Sequence, residues 1–422
     1  MNVTRLSPVP GVTFIAASND KSKYDCLTLS FLLPRTRDNT ARCSLLAAVI
    51  NRGTNRYPTM RALAAVQEDL YSASVSASSG AVGECLTFTF SLCFINKKYT
   101  IGGEDLLDRG MDLMSDMVLN PLLRGNGFDD SYVATEKVNL ITDIRSRLDN
   151  KDSYAVRRCI ELMCEGELFA NPVDGLEQDV AGLTGEELYK HYVNIIENCP
   201  AVVVYTGADD HGKAAAAFSK YLPLAARGTD IPRTEIITSV GGLRRYTDVM
   251  DINQSKLAIG FRTGVLPSSD EAYAFGVFNE LFGASPTSRL FSEVREKQSL
   301  CYYCTPIPQT SKGISVVAAG IAAADKERAE QAIIDQLDDI KRGNITDTEL
   351  SAAVRSLRSI HIGITDSIRA LNRWYRTGFV IGRDDDPCRA ADRIAGVTAE
   401  ETVAAARRVL EDTVYFLKGE RI

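Results

Sequence analysis

The chain has 422 residues, 45% of them hydrophobic and 24% charged, with a formal net charge of −7. It is longer than the roughly 250–300 residues at which a single core stops growing, so two or more domains are expected. The composition is that of an ordinary globular protein, and its acidic balance supplies no large basic surface for phosphate contacts, which excludes nucleic acid as a partner. The opening MNVTRLSPVP lacks the apolar core and cleavage site of a signal peptide, and no apolar run reaches the ~20 residues that span a bilayer. No membrane partner and a cytoplasmic location are therefore expected.

In chain order, LTLSFLLP from Leu27 alternates as a strand and leads through a polar turn into an apolar helix near Ala41 to Ile50. A helix with a stripe of Leu106, Met114 and Met117 precedes another helical segment from Asp129. In TGEELYKHYVNIIENCPAVVVYTG, Thr184 and Glu187 have the spacing of a capping box that opens a helix, and an apolar strand follows at Ala201 to Tyr205. Small residues, charges and Pro232 make His211 to Arg233 read as a linker. Beyond it, LAIGFRTG from Leu257 is again a strand leading to an apolar helix, Glu271 to Phe282. The stripe of Ile333, Leu337 and Ile340 ends at Gly343, and Thr346 with Glu349 caps the next helix. Finally, TAEETVAAARRVLEDTVYFLKG repeats the box at Thr398 and Glu401 and the strand at Val414 to Leu417.

The two stretches begin and end alike, which points to a duplicated unit. The expected fold class is α+β, two homologous halves that each pack helices on an antiparallel-rich sheet. The first half would span residues 1–210, the linker 211–233 and the second half 234–422. Most of the ten cysteines, Cys26, Cys85 and Cys93 among them, lie in strand-like runs where a reduced thiol behaves as a small hydrophobe, so no disulfide is expected. The single C-x-x-C, Cys301 to Cys304, has no second cysteine pair to complete a zinc site and no helix start to activate a thiol. It reads as two strand cysteines.

Two stretches carry chemistry. SLLAAVINRGTNRYPT, Ser44 to Thr59, resembles the region of the M16 (insulinase, pitrilysin-like) metallopeptidases that holds the inverted zinc motif H-x-x-E-H, with Arg52-Gly53-Thr54 matching the family's K/R-G-T. In active members two histidines four apart bind zinc and the glutamate serves as general base. Those three roles fall here on Ser44, Ala47 and Ala48, none of which can perform them. The family's later E-x6-E segment resembles EKVNLITD, which puts Glu136 at the first carboxylate and Asp143 at the third ligand; Asp143 also reads as a solvated or paired surface carboxylate. The three histidines, His191, His211 and His361, have no chelating spacing, and GADDHGK (207–213) reads as a turn.

FGASPTSRLFSEVREKQSLCYY from Phe282 resembles the family's second-half segment, in which an arginine and a tyrosine seven residues later reach the zinc half of the active assembly. Here these are Arg295 and Tyr302. The resemblance implies that they position substrate and stabilise a tetrahedral intermediate, a role that suits a guanidinium and a phenol. The residues themselves leave another reading open, in which Arg295 belongs to a charged helix face with Glu293 and Glu296 and Tyr302 is strand core.

The resemblance spans nearly the whole chain and implies a LuxS/MPP-like fold in each half. It also implies a non-catalytic subunit with no cofactor of its own. Its partner would be an active M16 subunit that bears H-x-x-E-H and the zinc, and the pair would take a peptide or unfolded protein as substrate. Within the family the chain resembles inactive bacterial members that accompany an active partner, a type linked to the 5-aminopentanol modification of elongation factor P. Two alternatives stand beside this reading: a peptide-binding or scaffold protein without a peptidase partner, and a metalloendopeptidase with a non-standard site.

Overall fold

The computed structural model describes residues 1–208 and 210–420. The chain opens with the hairpin β1 (Val3–Val9) and β2 (Val12–Ser18), then β3 (Tyr24–Pro34), α1 (Arg37–Ile50), α2 (Met60–Asp69) and the hairpin β4 (Ser74–Val82) and β5 (Cys85–Ile95). Helix α3 (Leu107–Leu119) and the short pair β6 (Leu123–Arg124) and β7 (Gly127–Phe128) follow. Helices α4 (Asp130–Ser146), α5 (Lys151–Met163), α6 (Glu177–Gly182) and α7 (Gly185–Asn198) lead to β8 (Ala201–Gly207) and α8 (His211–Tyr221). The pattern then recurs with β9 (Arg244–Met250), β10 (Ser255–Arg262), α9 (Glu271–Asn279), β11 (Cys301–Gln309) and β12 (Ile314–Ile321). Helices α10 (Lys326–Lys341), α11 (Asp347–Gly363), α12 (Ile368–Ile381), α13 (Pro387–Ala395) and α14 (Ala399–Arg407) precede β13 (Leu410–Gly419).

The sheets bear out the two-halves expectation strand by strand. The first runs β1-β2-β8-β3-β5-β4 and the second β11-β12-β10-β13-β9. Setting β1 aside, the first order read inward from β2 is the second read inward from β9. In both sheets one pair is parallel, β2 with β8 and β9 with β13, and the other pairs are antiparallel.

Alternation along β3 sorts its side chains: Leu27, Leu29, Phe31 and Leu33 enter the first core, while Cys26, Thr28 and Ser30 face the other way. Helix α1 covers the apolar face with Leu45, Leu46, Val49 and Ile50, all buried. Each such side chain contributes about 1.5–3 kcal/mol of burial.

Two compact units result, and they are not the continuous stretches 1–210 and 234–422. The first comprises 1–145, 171–233 and 363–386, and the second comprises 146–170, 234–362 and 387–422. Each sheet thus receives its second-face helix from a distant part of the chain. Helix α12 buries Ile368, Leu371, Trp374 and Tyr375 in the first unit. Helix α5 places Ala155, Cys159 and Met163 against Ala258, Val316 and Tyr415 in the second. An apolar stripe shows that a helix packs but not on which sheet, so the sequence offers no local signal of this exchange.

Two further expectations are corrected. The segment 211–233, expected as the linker, belongs to the first unit. Its first half is α8, whose Ala214, Ala217 and Phe218 enter the first core, and beyond it Arg227 and Gly228 donate backbone bonds to the Pro10 and Asn198 carbonyls. Asp210 caps that helix, while Asp209 of GADDHGK lies outside the described residues.

The absence of disulfides is also overturned, because Cys26 and Cys93 are joined. Strand register brings them directly opposite one another on β3 and β5, with Cα atoms 4.3 Å apart, as in a non-hydrogen-bonded antiparallel pair. Register is a tertiary outcome that cysteine count and local hydrophobicity do not encode.

Candidate functional site

In the first unit, the helix face that would present zinc ligands is closed by the chain itself. Ser44 is buried, and its hydroxyl donates to the Val173 carbonyl at 3.1 Å. Ala47 adds only a buried methyl group and Ala48 a half-buried one. Glu136 is held by the Arg52 guanidinium, which ties α4 to the end of α1, while Asp143 stands on the exposed side of α4. Among the described residues no three His, Cys, Asp or Glu side chains converge on a metal-sized site. The residues present do not fit a zinc ion.

The R-G-T turn persists for reasons of its own. Arg52 holds Glu136, and Thr54, fully buried, donates from its hydroxyl to Asp116 and accepts from the Tyr57 amide. At Gly53 a Cβ would lie 2.5 Å from the Tyr57 carbonyl oxygen, so only glycine fits.

The histidines serve local structure. His191 on α7 faces the Cys43 thiol at 3.6 Å, and burial, with the charge of Arg42, lowers its pKa to about 4 despite Asp38. It is therefore a neutral imidazole at physiological pH. His211 lies between the Thr4 and Ser18 hydroxyls at 2.8 and 3.0 Å, and the His361 Nδ1 is 2.9 Å from the Leu357 carbonyl.

In the second unit, Arg295 lies in a π-helical segment, Leu290–Lys297, which continues through Gln298 and Ser299 into β11. Ser299 has φ +50°, a left-handed conformation uncommon for a residue other than glycine, and it marks the reversal into the strand. Pairing of β11 with β12 shifts register between Cys301 and Tyr303, so Tyr302 occupies a β-bulge on an edge strand. The bulge turns the phenol outward, leaving Tyr302 77% exposed. This removes the reading of Tyr302 as strand core.

Arg295 is half exposed, stacks over the Phe291 ring at 4.6 Å and approaches Glu296 at 3.7 Å. Its neighbour Glu293 is paired to Lys297. The same bulge puts Cys301 and Cys304 on one buried side as free thiols. A hydrogen bond with Cys304 lowers the Cys301 pKa against the effect of burial, and the nearby charge of Arg295 lowers it further. Arg295 thus lies in the segment that leads into β11, and Tyr302 is the second residue of that strand. The bulge has no local signal in the sequence, whereas the charge complementarity of Arg52 and Glu136 stands in it.

A duplicated α+β chain with this strand order, an R-G-T turn and no ligands on the preceding helix defines a class, the M16-type peptidase fold without a zinc site. Comparison with known proteins agrees. Residues 182–357 match the family model described as Peptidase M16 inactive domain. The "Probable inactive metalloprotease YmfF" of Bacillus subtilis (strain 168) is 30% identical over 409 residues, covering 97% of this chain and 96% of its own. The chain belongs to the M16 peptidase family and is an inactive, metalloprotease-like member. Among solved structures, a conserved protein from Enterococcus faecalis V583 matches with a TM-score of 0.92 at 22% identity over the full length of both chains. A peptidase M16 inactive domain from Pseudomonas fluorescens matches with 0.79 at 17% identity, covering 99% of this chain and 98% of its own. These likenesses establish the fold. Among the described residues no helix is long and apolar enough to cross a membrane.

Proposed function

We propose that this chain is the non-catalytic subunit of a heteromeric M16-type peptidase. It would form half of a peptide-binding chamber and supply Arg295 and Tyr302 to the active site of a zinc-bearing partner. The observation that carries this reading is the contrast between the two units. The zinc face of α1 is closed by Ser44, Ala47, Ala48 and the Val173 carbonyl, whereas Tyr302 is turned outward by a bulge beside Arg295. A phenol exposed at an edge strand gains nothing from packing, and its placement suits donation to developing negative charge on a peptide carbonyl.

In this reading zinc resides only in the partner, which bears H-x-x-E-H, the substrate is a peptide or unfolded protein, and the pair works in the cytoplasm. Affinity capture from the native organism tests the pairing: an M16 chain bearing H-x-x-E-H should co-purify at near-equal stoichiometry. Recovery of the chain alone, together with no association when candidate M16 partners are supplied purified, contradicts it.

A further inference from the structure

Towards the β4 edge, the second face of the sheet of the first unit is polar. Residues Thr28 of β3, Ser91 of β5 and Ser74, Ser76 and Ser78 of β4 point away from the core, and α12 crosses the same face. Between them lies a groove of ≈ 580 Å³. One wall is the serine row of β4; the other carries Arg369, Arg373 and Arg376. No carboxylate lines it, although the chain as a whole carries a net charge of −7.

Two buried arginines elsewhere in the fold are matched by carboxylates: Arg262 meets Glu167 and Asp412, and Arg289 meets Asp339 and Glu349. The three groove arginines form no ion pair among the described residues. Arg376 donates to the Thr89 hydroxyl at 3.3 Å, and its buried Nε has no partner. Burying the Arg376 Nε without an acceptor is costly, and like charges one helical turn apart repel, so an anion bound at this wall would relieve both terms.

The spacing indicates the form of that anion. Arg369 and Arg373 are separated by about 6 Å along the helix axis. Alternate residues of an extended strand are about 6.6–6.8 Å apart and point to the same side. The geometry points to a binding site for an extended acidic peptide segment, with carboxylates at alternate positions meeting Arg369 and Arg373 and its backbone beside the β4 hydroxyls. The site lies wholly within the first unit and does not depend on a peptidase partner or on Arg295 and Tyr302.

Fluorescence anisotropy of the full chain tests the site with a labelled hexapeptide of alternating glutamate and alanine. Its counterpart with glutamine in place of glutamate is the control. Saturable binding of the glutamate peptide alone is expected, weakened at least about tenfold in the R369Q/R373Q double variant, which loses two charge-assisted hydrogen bonds. Both positions are exposed, and an unchanged circular dichroism spectrum verifies that the variant is folded. No binding, equal binding of the glutamine peptide, or unchanged affinity in the double variant overturns the proposal. Full displacement of the peptide by micromolar inorganic phosphate also overturns it, since that would define a small-anion site.

Discussion

Lys312 is fully buried, and its ammonium group meets Glu167 at 2.5 Å and the Glu235 carbonyl at 2.7 Å. Glu167 also accepts from Arg262, which reaches Asp412 at 3.0 Å, so four charges are buried together in the second unit. Removing one member strands the others, and K312M is expected to lower unfolding free energy by about 3–5 kcal/mol in a denaturant titration. Burial alone would raise the Glu167 and Asp412 pKa values, but hydrogen bonds from Arg262 and Lys312 to the former, and from Thr413, Arg244 and Arg262 to the latter, leave both lowered. Their contribution is fully present above the unfolded carboxylate values of 4.5 and 3.8 and is lost as pH falls through the lower folded values.

His191 acts in a higher window. Its folded pKa of about 4 lies below 6.5, so between these values the unfolded chain binds the extra proton and stability declines as pH falls. The H191Q variant should show a flatter melting-temperature profile between pH 6.5 and 4 than the parent. An unchanged slope would remove His191 as its source.

Among the elements, the helix starts were the most legible part of the sequence. The boxes at Thr184/Glu187, Thr346/Glu349 and Thr398/Glu401 all form, each threonine accepting from the amide three residues on while the glutamate accepts from the threonine amide. T184A and T398A should each cost about 1 kcal/mol in chemical denaturation. G53A should cost about 1–3 kcal/mol in the same measurement, because the Tyr57 carbonyl occupies the space a methyl group needs.

Caps, strand alternation and the replaced zinc motif depend on residues close in sequence, which is why they could be read. The Cys26–Cys93 pairing, the bulge at Tyr302 and the exchange of α5 and α12 depend on strand register and on which sheet a helix meets. The arginine wall lies between these cases. Arg369, Arg373 and Arg376 have the i, i+4, i+7 spacing of one helix face in the sequence, but the absence of facing carboxylates emerges only from the fold.

At the scale of the whole molecule, duplication has given two units with one strand order and different fates. In the first, helix α1 is packing surface, with Ser44 bonded to the Val173 carbonyl, and Glu136 is bonded to Arg52 at its end. In the second, the edge strand presents Tyr302 to solvent.

The proposed role is tested by peptide turnover of the chain reconstituted with a candidate M16 partner bearing H-x-x-E-H, compared between the parent and the R295A and Y302F variants at equal assembly. Loss of a donor to a developing oxyanion costs about 10²- to 10³-fold in turnover. A fall of that order is expected with the complex intact by size-exclusion chromatography. Undiminished turnover in both variants would contradict it.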